Sequence, residues 1–351
     1  MANINSKREE LIIKYLFTNK TGSSSDIHAY LVLNREDVSL VTTKRDVSAL
    51  KERGVLSEEG AGPATVYRLT VAGKITAPVD AKEYCNVVPD RRYGNTGYDF
   101  DLFRNIPANL FTREELAILE ASSLIYRNRK SDISETIHKK ELERFIIELS
   151  WKSSRIEGNT YTLMETERLI EKGLEAVGKA KEEAVMILNH KKAFSYIYEN
   201  ADKFKEISKG NIESVHRLLV DGLGVTFNLR SKAVGITGSR YRPLDNHFQI
   251  IEAVERLISA TNLAASGYEK AIILLLGISY VQPFEDGNKR TARLMANSVL
   301  LSNDLAPLSY RSVDEDEYRQ AVLVFYELNS VEPFKKIFIE QYKFSAENYS
   351  L

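Results

Sequence analysis

The sequence predicts a mainly α-helical chain: a small α+β module over residues 1–75, then an all-α domain over 108–345 carrying one small β-hairpin. Three observations predict this. Apolar residues recur at helical spacing almost without break from Thr112 onward. The longest apolar run, residues 271–281, suits a buried helix and falls well short of the ~20 residues that span a bilayer. Between the two parts, Pro78, Pro89, Gly94, Gly97 and Pro107 interrupt any period, so residues 76–107 read as a linker wrapping onto the next domain.

Composition bounds the function. A chain of 351 residues with 43% hydrophobic and 28% charged content has ample core for a soluble protein. The formal net charge of −1 gives no global field to recruit nucleic acid or membrane, so any such surface is local. Cys85 is the single cysteine, which excludes an intramolecular disulfide and a cysteine-rich zinc site and fits a reducing compartment. The N-terminus lacks the apolar core of a signal peptide. A soluble, cytoplasmic chain with no membrane partner is expected; a homo-oligomer stays open.

In the first module, Leu11, Ile12, Tyr15 and Leu16 set a helix over Lys7–Phe17. Ser25–Leu33 gives a second and Thr42–Arg53 a third, stopped by Gly54. Val55–Ser57 and Thr65–Leu69 flank a Gly- and Pro-containing tip and read as a hairpin. Three helices and a hairpin resemble a winged helix-turn-helix. That resemblance implies that Thr42, Thr43, Lys44, Ser48 and Lys51 face a DNA groove. With 11 Lys+Arg against 9 Asp+Glu the footprint is weak, and Glu58-Glu59 at the tip would repel phosphate. DNA or a protein are therefore both candidate partners of this module.

In the second part, Leu142, Phe145, Ile146 and Leu149 line one face of a helix over Lys140–Ile156. Glu157 then sits at the negative helix end, an unfavourable place that calls for a cationic partner, and Gly158 is the stop. Gly235, Gly238 and Pro243 punctuate an expected hairpin that includes Ser239, Arg240 and Tyr241. Helix resumes over Val254–Leu263, and Ala271–Tyr280 is the buried one.

The segment Val281-Gln-Pro-Phe-Glu-Asp-Gly-Asn-Lys-Arg-Thr-Ala-Arg293 follows that buried helix. Asp286-Gly287-Asn288 falls at the start of the next helix, where free N–H groups and the dipole favour an anion. Arg290 and Arg293, three apart, face the same spot. Asp286 is placed to hold a divalent ion on the same phosphates, since magnesium takes one or two carboxylates plus phosphate oxygens.

This segment resembles the Fic signature HxFx(D/E)GN(G/K)RxxR at every position but the first, where Gln282 replaces the histidine. The resemblance implies an all-α Fic fold with a β-hairpin flap, and a protein adenylyltransferase that moves AMP from ATP, with Mg2+, to a hydroxyl side chain of a protein target. It implies a metal-holding Asp286, an anion hole of Gly287, Asn288 and Lys289, phosphate-binding Arg290 and Arg293, and a structural Phe284. Gln282 holds the catalytic position, yet an amide is no general base near neutral pH. Such a chain is either a naturally impaired member or a substituted one.

Ser153, Glu157 and Gly158 fit the family's inhibitory pattern (S/T)xxxE(G/N), which implies an inhibitory helix over about 140–158 whose glutamate pairs with Arg293 and blocks the γ-phosphate. Asn159–Ile170 and Asn189-His190 resemble the segments that follow this helix in the self-inhibited subgroup. The flap residues Gly238, Ser239, Arg240 and Tyr241 would align an extended target by strand addition, and Tyr318 would line the adenine pocket. Of the five histidines none is in the signature; His247, just past the flap, is the substitute base to consider. Two alternatives stay open: a phosphotransferase, since Lys289 also occurs in kinase-like relatives, and a non-catalytic, nucleotide-binding regulator.

Overall fold

The computed structural model describes residues 6–351, with Met1–Asn5 of the N-terminal reading lying outside them. The described chain divides into two compact units.

The first unit comprises the residues up to Pro107 together with 236–242 and 319–335. It opens with α1 (Lys7–Asn19), α2 (Ser24–Leu33) and α3 (Leu40–Glu52), followed by strands β1 (Leu56–Glu59) and β2 (Val66–Leu69). Ser6, Ser23 and Ser39 each cap one of these helices by accepting an N–H from its first turn. The strands pair antiparallel with Leu56 opposite Leu69, which turns both leucines into one core with Ile12, Leu16, Ile27, Leu31, Val47 and Leu50. Of the residues expected to face DNA, Lys44 and Ser48 are exposed, but Thr43 is not available. It is wholly buried, hydrogen-bonded to the Ser39 carbonyl at 3.2 Å and to His28 Nδ1 at 3.2 Å. Lys51 is tied to Glu58 of β1.

Residues 76–107, expected as a linker, are built instead. They contain α5 (Ala81–Asn86), after α4 (Val71–Ile75), and α6 (Leu102–Asn105). Their order comes from polar burial, which leaves no hydrophobic period in the sequence. The fully buried carboxylate of Glu327, on α15 (Glu315–Leu328), accepts from Arg92 Nη1 at 3.3 Å, Ser239 Oγ and Tyr84 Oη, both at 2.7 Å, and the Arg240 N–H at 3.2 Å. Arg92 also donates to the carbonyls of Val87, Cys85 and Gly238. The Asn95 N–H reaches the Glu327 carbonyl at 2.7 Å, and a Cβ on Gly94 (φ 111°) would stand 2.5 Å from that oxygen, so glycine is required there.

Residues 233–243 also depart from expectation: they form a turn at Gly238 (φ 78°) without paired strands. Their backbone is bonded elsewhere. Arg242 donates to the Thr96 carbonyl and forms a parallel bridge with Gly97, while Tyr241 is buried against Tyr326.

The second unit holds α7 (Arg113–Ser131), α8 (Glu135–Ile156), α9 (Leu163–Lys172), α10 (Lys181–Glu199), α11 (Lys209–Val220), α12 (His247–Leu263), α13 (Gly267–Val281) and α14 (Asn288–Ser302), the first turn of α15, and most of α16 (Glu332–Asn348). As its sequence predicts, α13 is buried on all sides from Ala271 to Val281, packed on α12 and α14. Gly277 lets α12 approach, since a Cβ there would meet Leu257 Cδ1 at 2.3 Å. Among the described residues, no helix is long and apolar enough to cross a membrane.

Removing Glu327 leaves Arg92 charged and buried with its carboxylate partner gone. Glu327→Ala is expected to destabilise the first unit by about 3–5 kcal/mol, and Glu327→Gln by less. Chemical denaturation monitored through hydrogen exchange of residues 84–97 checks this.

Candidate active site

The end of α13 and the start of α14 are joined by a loop held from two sides, by Arg230 and by Asn288. Gln282 caps α13 in the left-handed region (φ 50°, ψ 58°), a costly place for a residue with a Cβ. Arg230 offsets this by donating Nε to the Gln282 carbonyl at 2.6 Å and its backbone N–H to the Pro283 carbonyl at 2.9 Å. Asn288 closes the loop from the other side. Its Nδ2 donates to Gln282 Oε1 at 2.9 Å and to the Phe284 carbonyl at 2.8 Å, and its Oδ1 accepts the Phe284 N–H at 2.9 Å. Gln282 Nε2 donates back to the Ser279 carbonyl at 2.6 Å. Phe284, wholly buried, stacks on His216 with centroids 3.6 Å apart.

Gly287 (φ 78°) is the N-cap of α14, and it supplies no side-chain acceptor to the first N–H groups. A Cβ there would meet Val220 Cγ1 at 3.0 Å and His216 Cε1 at 3.4 Å. The helix start is therefore a bare donor cluster, the arrangement that binds anions. Beneath it His216 donates its Nε2–H to the Thr226 carbonyl and its Nδ1 accepts the Thr291 hydroxyl, and burial pushes its pKa down to about 4. It is a neutral support.

Arg290 is nearly buried, with Nη2 on Asp286 Oδ2 at 3.0 Å. Its Nη1 is buried and has no partner among the described residues. A guanidinium nitrogen left so at an uncapped helix start is a donor prepared for a ligand. Burial lowers the Arg290 pKa from the usual arginine value, Asp286 and Glu157 opposing. Asp286 itself is 67% exposed. The described residues contain no cluster of three or more metal-ligating side chains. One exposed carboxylate fits an ion that arrives with phosphate oxygens and does not fit a resident metal centre.

Arg293, one turn on, is 0% exposed and fully engaged. Nε donates to Ser153 Oγ at 2.8 Å; Nη2 donates to the Ser153 carbonyl at 2.9 Å and to Glu157 Oε1 at 2.8 Å; Nη1 reaches Tyr318 Oη at 3.4 Å. The Tyr318 ring stands under the guanidinium, 5.6 Å from its carbon to the centroid. Glu157 caps α8, and Gly158 (φ 98°) turns the chain so that the Asn159 N–H reaches the Ser154 carbonyl and the Gly158 N–H that of Arg155, a Schellman end. Its second oxygen accepts from Lys289 Nζ at 3.4 Å. Burial pushes the Glu157 carboxyl up, but Arg293 and Lys289 outweigh it and leave it below the usual range, so it is ionised at neutral pH.

Thus Ser153, Glu157, Gln282, Phe284, Asp286, Gly287, Asn288, Lys289, Arg290, Arg293 and Tyr318 come together within the second unit. Gly238, Ser239 and Arg240 belong to the first unit and are committed to the Glu327 network, while Tyr241 beside them donates its N–H to Ser239 Oγ and packs on Tyr326. His247, the substitute base considered above, opens α12 with its Nδ1–H donating to the Arg230 carbonyl at 3.0 Å. Arg230 and His216 were missed by sequence reasoning. Both act through contacts between segments distant in sequence, which no spacing in the sequence signals.

Residues 206–300 match the Fic/DOC family model. Among curated proteins, the chain is 26% identical over 199 residues to protein adenylyltransferase fic-1 of Caenorhabditis elegans, covering 55% of this chain and 39% of the relative. It is 27% identical over 172 residues to protein adenylyltransferase Fic of Nematostella vectensis, covering 48% and 40%. The chain thus spans less than half the length of these relatives. Among solved structures, Fic-1 (residues 134–508) from C. elegans superposes with a TM-score of 0.56 at 20% identity, over 67% of this chain and 71% of that one. A Fic domain containing signaling protein from Bacteroides thetaiotaomicron gives 0.56 at 19%, over 65% and 94%. The fold likeness and the matched segment agree with the loop geometry above: this chain carries a Fic/DOC domain.

Proposed function

We propose that the chain is a protein adenylyltransferase that transfers AMP from ATP to a hydroxyl side chain of a protein target, restrained by Glu157 and impaired by Gln282. The observation that carries this is the pairing at α14: an uncapped helix start with an unpartnered Arg290 nitrogen, beside an Arg293 occupied by Glu157. Two phosphate-sized demands are present, and the chain's own carboxylate fills one of them.

In this reading the N–H groups of Asn288 and Lys289 and the guanidinium of Arg290 receive the inner phosphates, and Arg293 receives the outer one once Glu157 leaves. Asp286 would hold Mg2+, which neutralises phosphate charge when bound. Positioning and fixed positive charge supply most of the acceleration. No side chain at 282 takes the target hydroxyl's proton, a loss of roughly 10²–10⁴-fold. The Gln282 amide is also turned inward onto Ser279 and Asn288. That inward bonding favours a second reading, a nucleotide-binding regulator whose first module, as a winged helix, presents Lys44 and Ser48 to DNA or a protein. A DNA-shift assay with and without ATP separates the two. The single cysteine favours a cytoplasmic setting.

ATP with magnesium is expected to bind the Glu157→Gly protein more tightly than the parent by at least about tenfold, the worth of a charged hydrogen bond. Absence of ATP heat in both proteins by calorimetry would sink the site assignment.

This restraint has a defined pH dependence. The Glu157 carboxyl is held below its ordinary value in the folded protein, so the contact is fully present above the unfolded carboxylate range and is lost as pH falls through the folded value. The affinity ratio between Glu157→Gly and parent is therefore expected to be flat from about pH 6 to 8 and to shrink only in acid. A ratio that changes across neutrality would point to another group.

Gln282→His is expected to restore transfer of labelled AMP, more strongly with Glu157→Gly. In that background Arg293→Ala should lower it, and Glu157→Gly should add nothing once Arg293 is gone. If Glu157→Gly accelerates the Arg293→Ala protein by its full factor, the two act independently and self-inhibition fails.

A further inference from the structure

His190, on α10, is wholly buried and belongs to neither the loop nor the inhibitory helix. Its Nδ1 is 3.1 Å from the Met186 carbonyl and its Nε2 is 2.8 Å from Ser153 Oγ. A carbonyl only accepts, so Nδ1 carries the proton and Nε2 presents a lone pair. Burial, reinforced by the nearby Arg290 charge, pushes the ring's pKa down to about 3, so this neutral tautomer holds across the physiological range.

The consequence falls on Ser153. A hydroxyl has one hydrogen; given to Nε2, it leaves the oxygen's lone pairs toward Arg293, whose Nε donates to them at 2.8 Å. The polarity runs in one direction, from Arg293 through Ser153 and His190 to the Met186 carbonyl. We propose that His190 is a positioning residue of the inhibited state, orienting the Ser153 hydroxyl as an acceptor so that Arg293 stays on α8 and in register with Glu157. This rests on the proposed function only in its consequence, that Arg293 so held is withheld from the outermost phosphate of ATP. The relay itself is a property of the free protein.

Two variants separate hydrogen bonding from volume. His190→Phe keeps a planar ring but has no acceptor. His190→Gln restores an amide oxygen near the place of Nε2. In the free protein, exchange of the Arg293 Nε–H, followed by nitrogen-edited NMR, is expected to quicken by about tenfold in His190→Phe and to return toward the parent in His190→Gln, in line with one buried hydrogen bond. By calorimetry with magnesium, His190→Phe should tighten ATP by about five- to tenfold and leave ADP unchanged, and Glu157→Gly should abolish that difference. If His190→Phe does not fold, Ser153→Ala removes the same hydroxyl and carries the same expectations. Unchanged Arg293 exchange overturns the relay, and so does an ATP gain that persists in full with Glu157→Gly. Failure of every variant, Glu157→Gly included, to bind ATP sinks the proposed function, with the exchange result still deciding the relay.

Discussion

A guanidinium taken out of water must recover from the protein what water supplied, and Arg293 is such a group. Its burial alone would disfavour the charge, yet Tyr318 and Glu157 hold its pKa above the ordinary arginine value. Five donors in a fixed plane demand acceptors in that plane, and α8 delivers two from one residue, the hydroxyl and carbonyl of Ser153, plus a carboxylate one turn later. The Schellman end of α8 follows from this: the helix stops where Glu157 reaches Arg293, and Gly158 turns the chain away. Removing the carboxylate without a replacement anion would leave a buried charge underpaired, which is the condition that draws in a phosphate.

Much of the fold was legible because it is periodic. α13 announced itself as an unbroken apolar run, and α8 as a stripe of Leu142, Phe145, Ile146 and Leu149. What was not legible is order made by polar burial. Residues 76–107 read as a linker because Arg92, Tyr84 and Asn95 carry no hydrophobic period, yet all three converge on Glu327, some 230 residues away in sequence. The supposed hairpin failed for the same reason. Gly238 correctly marked a turn and Pro243 did not, and the backbone between them is bonded to residues 92–97 and to Glu327, with no strand beside it.

The site divides along a similar line. Residues 282–293 could be read directly, since helix-start geometry, an i, i+3 arginine pair and a carboxylate express local rules. Glu157 was legible as an anomaly, a negative charge at a negative helix end that called for a cation. Thr43 shows the converse error: the winged-helix resemblance placed it outward, while its hydroxyl bridges His28 and the Ser39 carbonyl inside. His216, Arg230 and the role of His190 depend on contacts between distant segments, and no local rule reports those.

Gln282 ties these strands together. At this position two demands meet, a proton acceptor for chemistry and a hydrogen-bonding partner for the loop. The amide meets the second through its contacts with Asn288 and Ser279. An aliphatic residue would strand one hydrogen of Asn288 Nδ2 in a buried site, at about 1–3 kcal/mol, and loosen the carbonyl and N–H of Phe284 that the same side chain secures. Because Phe284 stacks on His216 and His216 lies under Gly287, that loosening would reach the helix start where the anion is to bind. Glutamine preserves this line of support while removing the titratable lone pair. Under the proposed function, binding and proton transfer would thereby be separated on a single side chain, and a nucleotide would still be held where the hydroxyl's proton has no acceptor.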